Sequence, residues 1–160
     1  MAGIEHGGKP LTIFEYTGER GSLTLQWVPQ KVGRTLRPEV ARRQPYGYNR
    51  PDLSYSGGNE TIAFSVQFYA TEDAPETVAK AMAFLRSLAQ NNAGTGDQPL
   101  CGLAWGGMFR GLQMKLTGYN ETAVNFADEH SYYPIYGEAD LTFEVQHSRA
   151  QTWAQQRAAY

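Results

Sequence analysis

The side chains of this chain best suited to chemistry are its carboxylates. Asp128-Glu129 and Glu138/Asp140 each set two acids close together, and glycoside hydrolysis uses two carboxylates about 5 to 9 Å apart. The sequence gives no sign of that geometry, so solvated surface acids are the better default. His6, His130 and His147 stand alone, without the clustering of a metal site. Cys101 is the single cysteine, which excludes an internal disulfide and a metal site built on paired cysteines. It lies in the apolar run Leu100–Trp105 and reads as a small buried hydrophobe. Asn59-Glu60-Thr61 and Asn120-Glu121-Thr122 match the glycosylation sequon, which means nothing without a secretory route. Phosphate loops, dinucleotide fingerprints and metalloprotease helices are all missing from the sequence. The expectation is a chain with no catalytic residues, no metal and no cofactor.

Bulk properties narrow the class. The chain has 160 residues, 41% of them hydrophobic, which suits one domain with one core. Its 17 Gly and 8 Pro imply many turns and a β-rich fold. A formal charge of −2 argues against a general nucleic-acid binder. The polar start, Met1–His6, lacks the apolar stretch of a signal peptide, and no run is long enough for a membrane helix. The chain is expected to stay in the cytoplasm where it is made, or to leave it only within a larger particle.

One charge pattern stands out. Lys31, Arg34, Arg37, Arg42, Arg43 and Arg50 are six of the 14 basic residues. The stretch 119–144 holds Glu121, Asp128, Glu129, Glu138, Asp140 and Glu144 and no Lys or Arg. The bland reading is a solvated surface. The sharper one is a self-complementary subunit whose basic arm lies on the acidic flank of the next copy. The candidate interface residues are therefore Arg34, Arg37, Arg42, Arg43, Arg50, Glu121, Asp128, Glu129, Glu138 and Asp140. Trp153, on the C-terminal tail, joins them.

The elements that position these residues follow from periodicity. Ile62, Phe64, Val66 and Phe68 alternate with Thr61, Ala63, Ser65 and Gln67, the pattern of a strand with one buried face. Strands are also expected at 11–16, 23–28, 100–105, 109–116, 121–126 and 139–145, with a tight turn at Gly106-Gly107. Val78, Ala81, Met82, Leu85 and Leu88 predict an amphipathic helix ending near Gln90. Thr71 or Asp73 is expected to cap it, with Pro75 in its first turn. Residues 29–58 show no period and carry Pro29, Pro38, Pro45 and Pro51, so they predict a long basic loop or arm, the kind that is usually functional. Residues 1–146 are read as one β domain and 147–160 as a short tail that could form a helix.

Four segments in this order resemble the tube-like domain of contractile injection systems and bacteriophage contractile tails. They are Leu23–Gln30, Leu53–Glu60 with its alternating strand, the helix at 81–90, and Leu103–Gly106 with Gly111-Leu112. The resemblance covers roughly residues 11–146. It implies a mainly β (α+β) fold, an antiparallel tail-tube-like barrel or sandwich with one flanking amphipathic helix and long loop arms. It further implies a non-enzymatic structural subunit of the virion at the baseplate hub or the tube-initiating rings, assembled in the bacterial host cytoplasm. Its implied partners are itself as a ring, hexameric by the resemblance, and neighbouring tube, hub and baseplate proteins. Contact with passing DNA would be transient at most, and no membrane is involved. Family members often carry a C-terminal lysin-motif domain. This chain runs only to Tyr160, so no peptidoglycan role is carried over. The stretch 125–134 also departs from the short turn usual there. Two alternatives stand beside this reading: a wedge-to-hub connector of the baseplate, and a carbohydrate-binding β module using Trp27, Tyr46, Tyr48, Trp105, Tyr132 and Tyr133. A cell-wall hydrolase is the weakest.

Overall fold

A computed structural model describes residues 10–47, 49–91, 96–126 and 133–148. They form one sheet of seven antiparallel strands and one helix. The strands are β1 (Thr12–Glu15), β2 (Ser22–Thr24), β3 (Val32–Arg43), β4 (Asp52–Tyr69), β5 (Cys101–Ala104), β6 (Leu112–Phe126) and β7 (Pro134–Ser148). The helix α1 (Thr77–Leu88) follows β4, and the spatial order is β2-β1-β5-β6-β7-β4-β3. The mainly β fold with one flanking helix is as expected. The barrel or sandwich is not: the described strands make a single sheet whose two edges, β2 and β3, are not paired.

The sheet curls without closing. Its inner face carries Ile62, Phe64, Val66 and Phe68 from β4 and Ala139, Leu141 and Phe143 from β7, all buried. Phe64 and Phe143 stack with centroids 5.9 Å apart. Leu11, Ile13, Cys101 and Leu103 belong to the same core, although β1 and β5 lie far from β4 in strand order. Only curvature brings them together. At the rim, Gln26 bridges part of the remaining gap. Its side chain donates to the Tyr69 carbonyl (3.0 Å) and accepts from the Tyr69 amide (2.8 Å). β3 begins at Val32 opposite Phe64, so it does not reach Tyr69, and the Gln26 amide stands in for a neighbouring strand there.

The helix lies over one end of the inner face. Val78, Ala81, Met82, Leu85 and Leu88 form its buried stripe, at the spacing seen in the sequence. Gly137 lets it approach: a Cβ there would run into Met82 Cε and come within 2.8 Å of Val78 Cγ1. The expected caps are not used. The N-cap is Glu76, whose side chain makes no capping hydrogen bond and instead accepts from Lys80 Nζ at 2.7 Å, while Thr71 forms an isolated bridge with Ala74.

Residues 29–58 differ most from expectation. Instead of a loop, Val32–Arg43 and Asp52–Tyr69 pair as a long hairpin. Pro38 is tolerated because β3 is an edge strand, where a missing amide hydrogen can face away from the ladder. Glu39 pairs with Gly57 and Val40 with Tyr55, leaving Ser56 as a bulge. Two other expectations also change. The strands foreseen at 109–116 and 121–126 are one strand, β6, with register shifts at Gln113/Met114 and Leu116/Gly118. Residues 105–111 are a broader turn than Gly106-Gly107 alone.

Candidate functional site

The pairing of β4 divides the hairpin in two. Thr61–Tyr69 pairs with β7 on one side, whereas Asp52–Glu60 pairs only with β3. The ribbon from Leu36↔Glu60 to Arg43↔Asp52 therefore leaves the sheet as a two-stranded arm about 25 Å long. From Arg34 onward every β3 residue is exposed.

Strand alternation distributes the arginines over both faces of the arm. Val32 opposes Phe64, so Arg34, Leu36, Pro38, Val40 and Arg42 continue the inner face of the sheet. Thr35, Arg37, Glu39, Ala41 and Arg43 lie on the outer face, and Arg50 sits in the turn at the tip. The six bases of this region are thus not one patch. Arg34 is also committed within the chain, its Nε donating to Glu60 at the foot of the arm. Beside Arg42, the inner face of the arm exposes Leu36 (64%), Val40 (45%) and Leu53 (60%). This apolar stripe escaped the sequence reading because neither arm face is buried, so no hydrophobic period marks it.

The acidic residues also divide. On β7, Glu138, Asp140 and Glu144 share the outer face, two and four residues apart. Asp140 accepts from Ser65 Oγ on β4, and Glu138 accepts from Tyr136 Oη at 3.0 Å. Thr35, Arg37, Asn59 and Thr61 line a shallow groove with Glu144, so the acidic row starts beneath the root of the arm. Glu121 does not belong to this row. It faces the helix side, where Arg86 pairs with it at 2.5 Å and Tyr119 Oη donates to its other oxygen. That pairing raises the Arg86 pKa, while burial, then Glu121, pushes the Tyr119 phenol far above its ordinary value. Glu121 thus contributes to docking the helix within its own chain. Asp128, Glu129 and Trp153 lie outside the described residues, as do Tyr48 and Tyr132 of the expected aromatic set.

At the far end of the outer face, Tyr69 packs on Tyr136 (4.7 Å) and Trp27 meets Tyr69 edge-on (5.0 Å). Trp27 and Tyr69 remain 43% and 45% exposed, so this cluster is a surface feature. Burial pushes the Tyr136 phenol up, with help from Glu138. Among the described residues, no group of three or more His, Cys, Asp or Glu could hold a metal ion. Glu15 is the one buried charged residue described. Burial pushes its carboxyl up, but Thr17 Oγ1 and the Arg20 amide donate to it and bring it below its ordinary value. Its surroundings are those of a turn clasp, since Arg20 also donates to the Ser87 carbonyl at the end of the helix.

No protein-family model matches the chain, and no curated protein sequence matches it. Solved structures share part of its backbone course. One is a chain in the tail of an empty gene transfer agent particle refined with C6 symmetry. It is 12% identical, with a TM-score of 0.48 over 89% of this chain and 95% of that one. Another is a chain in the virion of a native gene transfer agent particle, 10% identical, with a TM-score of 0.46 over 87% of this chain and 92% of that one. Overlap at this level says nothing about what the present chain does.

Proposed function

We propose that this chain is a non-enzymatic structural subunit of a phage-like tail, working by assembly through its arm. The observation that carries the reading is the arm itself. A two-stranded ribbon alone in water is marginal, and this one leaves Leu36, Val40, Leu53, Arg42 and Arg43 exposed beyond its own sheet. Such a ribbon is suited to a neighbour. The outer row Glu138, Asp140 and Glu144 offers a complementary surface on a second copy, running over about the same length as the arm. Among the described residues, the edges β2 and β3 pair with no further strand, which suits backbone pairing between copies. In the finer form of the proposal, suggested by the sequence resemblance, the subunit forms a ring, hexameric by that resemblance, at the baseplate hub or the first rings of the tube. There it joins the tube to the baseplate of a contractile tail, in the virion. Exposed ion pairs contribute only about 0–1 kcal/mol each, so register would depend on many of them repeated around the ring.

The test is a charge swap read by sedimentation velocity. Changing Arg37, Arg42 and Arg43 to Glu is expected to abolish assembly while leaving the melting curve of the monomer nearly unchanged. Adding Glu138→Lys and Asp140→Lys to that chain should restore part of it. Normal assembly of the Arg variant at low salt would refute the proposal. The exposed Trp27–Tyr69–Tyr136 cluster favours a second reading, a carbohydrate-binding β module, since such rings can stack on sugars. Binding on a glycan array that disappears with Trp27→Ala would support it.

A further inference from the structure

We propose that the apolar stripe on the inner face of the arm docks on an aromatic row at the far end of the outer face of a second copy. This rests on the assembly reading above and names the surface that receives the arm. The row crosses the sheet from strand to strand. Val124 on β6 pairs with Tyr136 on β7, and Tyr136 pairs with Tyr69 on β4. Tyr69 packs on Tyr136 at 4.7 Å, and Trp27 meets Tyr69 edge-on at 5.0 Å. Val124, Tyr69 and Trp27 are 36%, 45% and 43% exposed. These are neighbours on one open surface, unlike singly scattered apolar residues. The next row toward the arm is polar and exposed: Thr122, Glu138 and Gln67. Gln26, beside Trp27, is held by the Tyr69 backbone.

The arm carries the matching chemistry. Leu36, Val40 and Leu53 stand open on its inner face, and Arg42 lies directly across from Leu53. Leu36 and Val40 are about 13 Å apart along β3, while Val124 and Tyr69 are about 10 Å apart across β7, with Trp27 beyond. With the stripe on the row, Arg42 comes to the polar row behind it, where Glu138 is the acid. Glu138 accepts from Tyr136 Oη at 3.0 Å, and a carboxylate has further acceptor sites for a guanidinium. Apolar side chains therefore meet apolar side chains, and a cation meets an anion. A chain cannot fill its own row. One strand, β4, carries Leu53 near its start and Tyr69 at its end, about 50 Å apart along the strand. The arm is a paired ribbon that runs away from the row, so the arm that fills the row comes from another copy. Each copy gives an arm at one end and receives one at the other, the head-to-tail relation that closes rings.

The experiment is sedimentation velocity of two variants of the full chain, alone and mixed. One carries Leu36→Glu, Val40→Glu and Leu53→Glu and has lost the stripe. The other carries Tyr69→Lys and Val124→Lys and has lost the row. Each alone is expected to sediment as a monomer where the parent chain assembles. An equimolar mixture should form pairs and stop there, because one intact stripe meets one intact row. A row variant that assembles like the parent, or a mixture that stays monomeric, overturns the inference and leaves the charge-swap test of the assembly reading standing. A parent chain that never assembles overturns both. If the row variant does not fold, cross-linking decides. A short bismaleimide should join Val40→Cys of one chain to Val124→Cys of another, with the native Cys101 buried out of reach. It should leave Val40→Cys and Ala83→Cys, on the exposed face of the helix, unlinked. Equal linking of the two pairs, or linking of neither, refutes the docking.

Discussion

Gly137→Ala tests how the helix sits on the sheet. Position 137 is a strand residue without the positive φ that favours glycine, so the added methyl matters only through the space it needs. That space is occupied by Met82 Cε and, at 2.8 Å, by Val78 Cγ1. The two contacts differ in stiffness. Met82 Cε is the far end of a flexible side chain and can swing away. Val78 is β-branched, and one χ1 rotamer dominates in a helix. The methyl group added at position 137 would therefore meet Val78 as the real obstacle and force α1 outward. Overpacking of this kind costs about 1–3 kcal/mol. Val78→Ala alone removes two buried methyl groups, worth about 2 kcal/mol with its cavity. In the double variant the methyl moves into the space Val78 leaves, so the pair should cost about 2 kcal/mol rather than the roughly 3–5 kcal/mol of independent changes. The combination of Gly137→Ala with Met82→Ala should show much weaker coupling. Urea titration of the single and double variants against the parent chain measures it, with unchanged m-values as the check on two-state behaviour. Additivity within about 0.5 kcal/mol for the Val78 pair, or stronger coupling to Met82, would refute the assignment of the clash.

Other outcomes follow from the same structure. Phe64→Ala should cost about 3–5 kcal/mol, as Phe64 is 5% exposed and stacked on Phe143; a change under about 1 kcal/mol in a denaturant titration would contradict the strand phase. Cys101 is buried and its thiol is pushed up to about 12, mainly by burial, so a thiol reagent at neutral pH should react only after unfolding; prompt labelling of the native chain would contradict this. The Glu15 carboxyl lies below its ordinary value in the folded chain, so its contribution to stability is full above the unfolded value and is lost as pH falls through the folded one. Glu15→Gln should flatten the acid side of the stability–pH curve, and an unchanged slope would remove Glu15 from the turn clasp. Limited trypsin digestion should cut first at Arg42 or Arg43 near the arm tip, and at Arg34 only later, since Arg34 lies at the paired root beside Glu60.

Local periodicity was enough to locate the buried strand at 61–70 and the helix stripe from Val78 to Leu88, and the apolar run around it was enough for the burial of Cys101. The strand and the helix each have one face in the core, and one-sided burial writes a period into the sequence. The arm left no such mark. Both of its faces are exposed from Leu36 onward, Pro38 interrupts β3, and Gly57 and Gly58 sit in the facing strand. Its identity as a hairpin depends on register with β4, which is a pairing between distant segments. Charge segregation between residues 31–50 and 119–144 was also legible, but its geometry was not. Strand alternation sends Arg37 and Arg43 to one face of the arm and Arg34 and Arg42 to the other, and Glu121 turns inward to Arg86 while Glu138 and Asp140 stay outside. Sequence distance cannot tell these acids apart, because the deciding contact comes from a helix 35 residues away. The Gln26–Tyr69 clasp and the curl of the sheet belong to the tertiary structure alone: both arise from where β2 lies once β1 has paired with β5, and no local pattern encodes that.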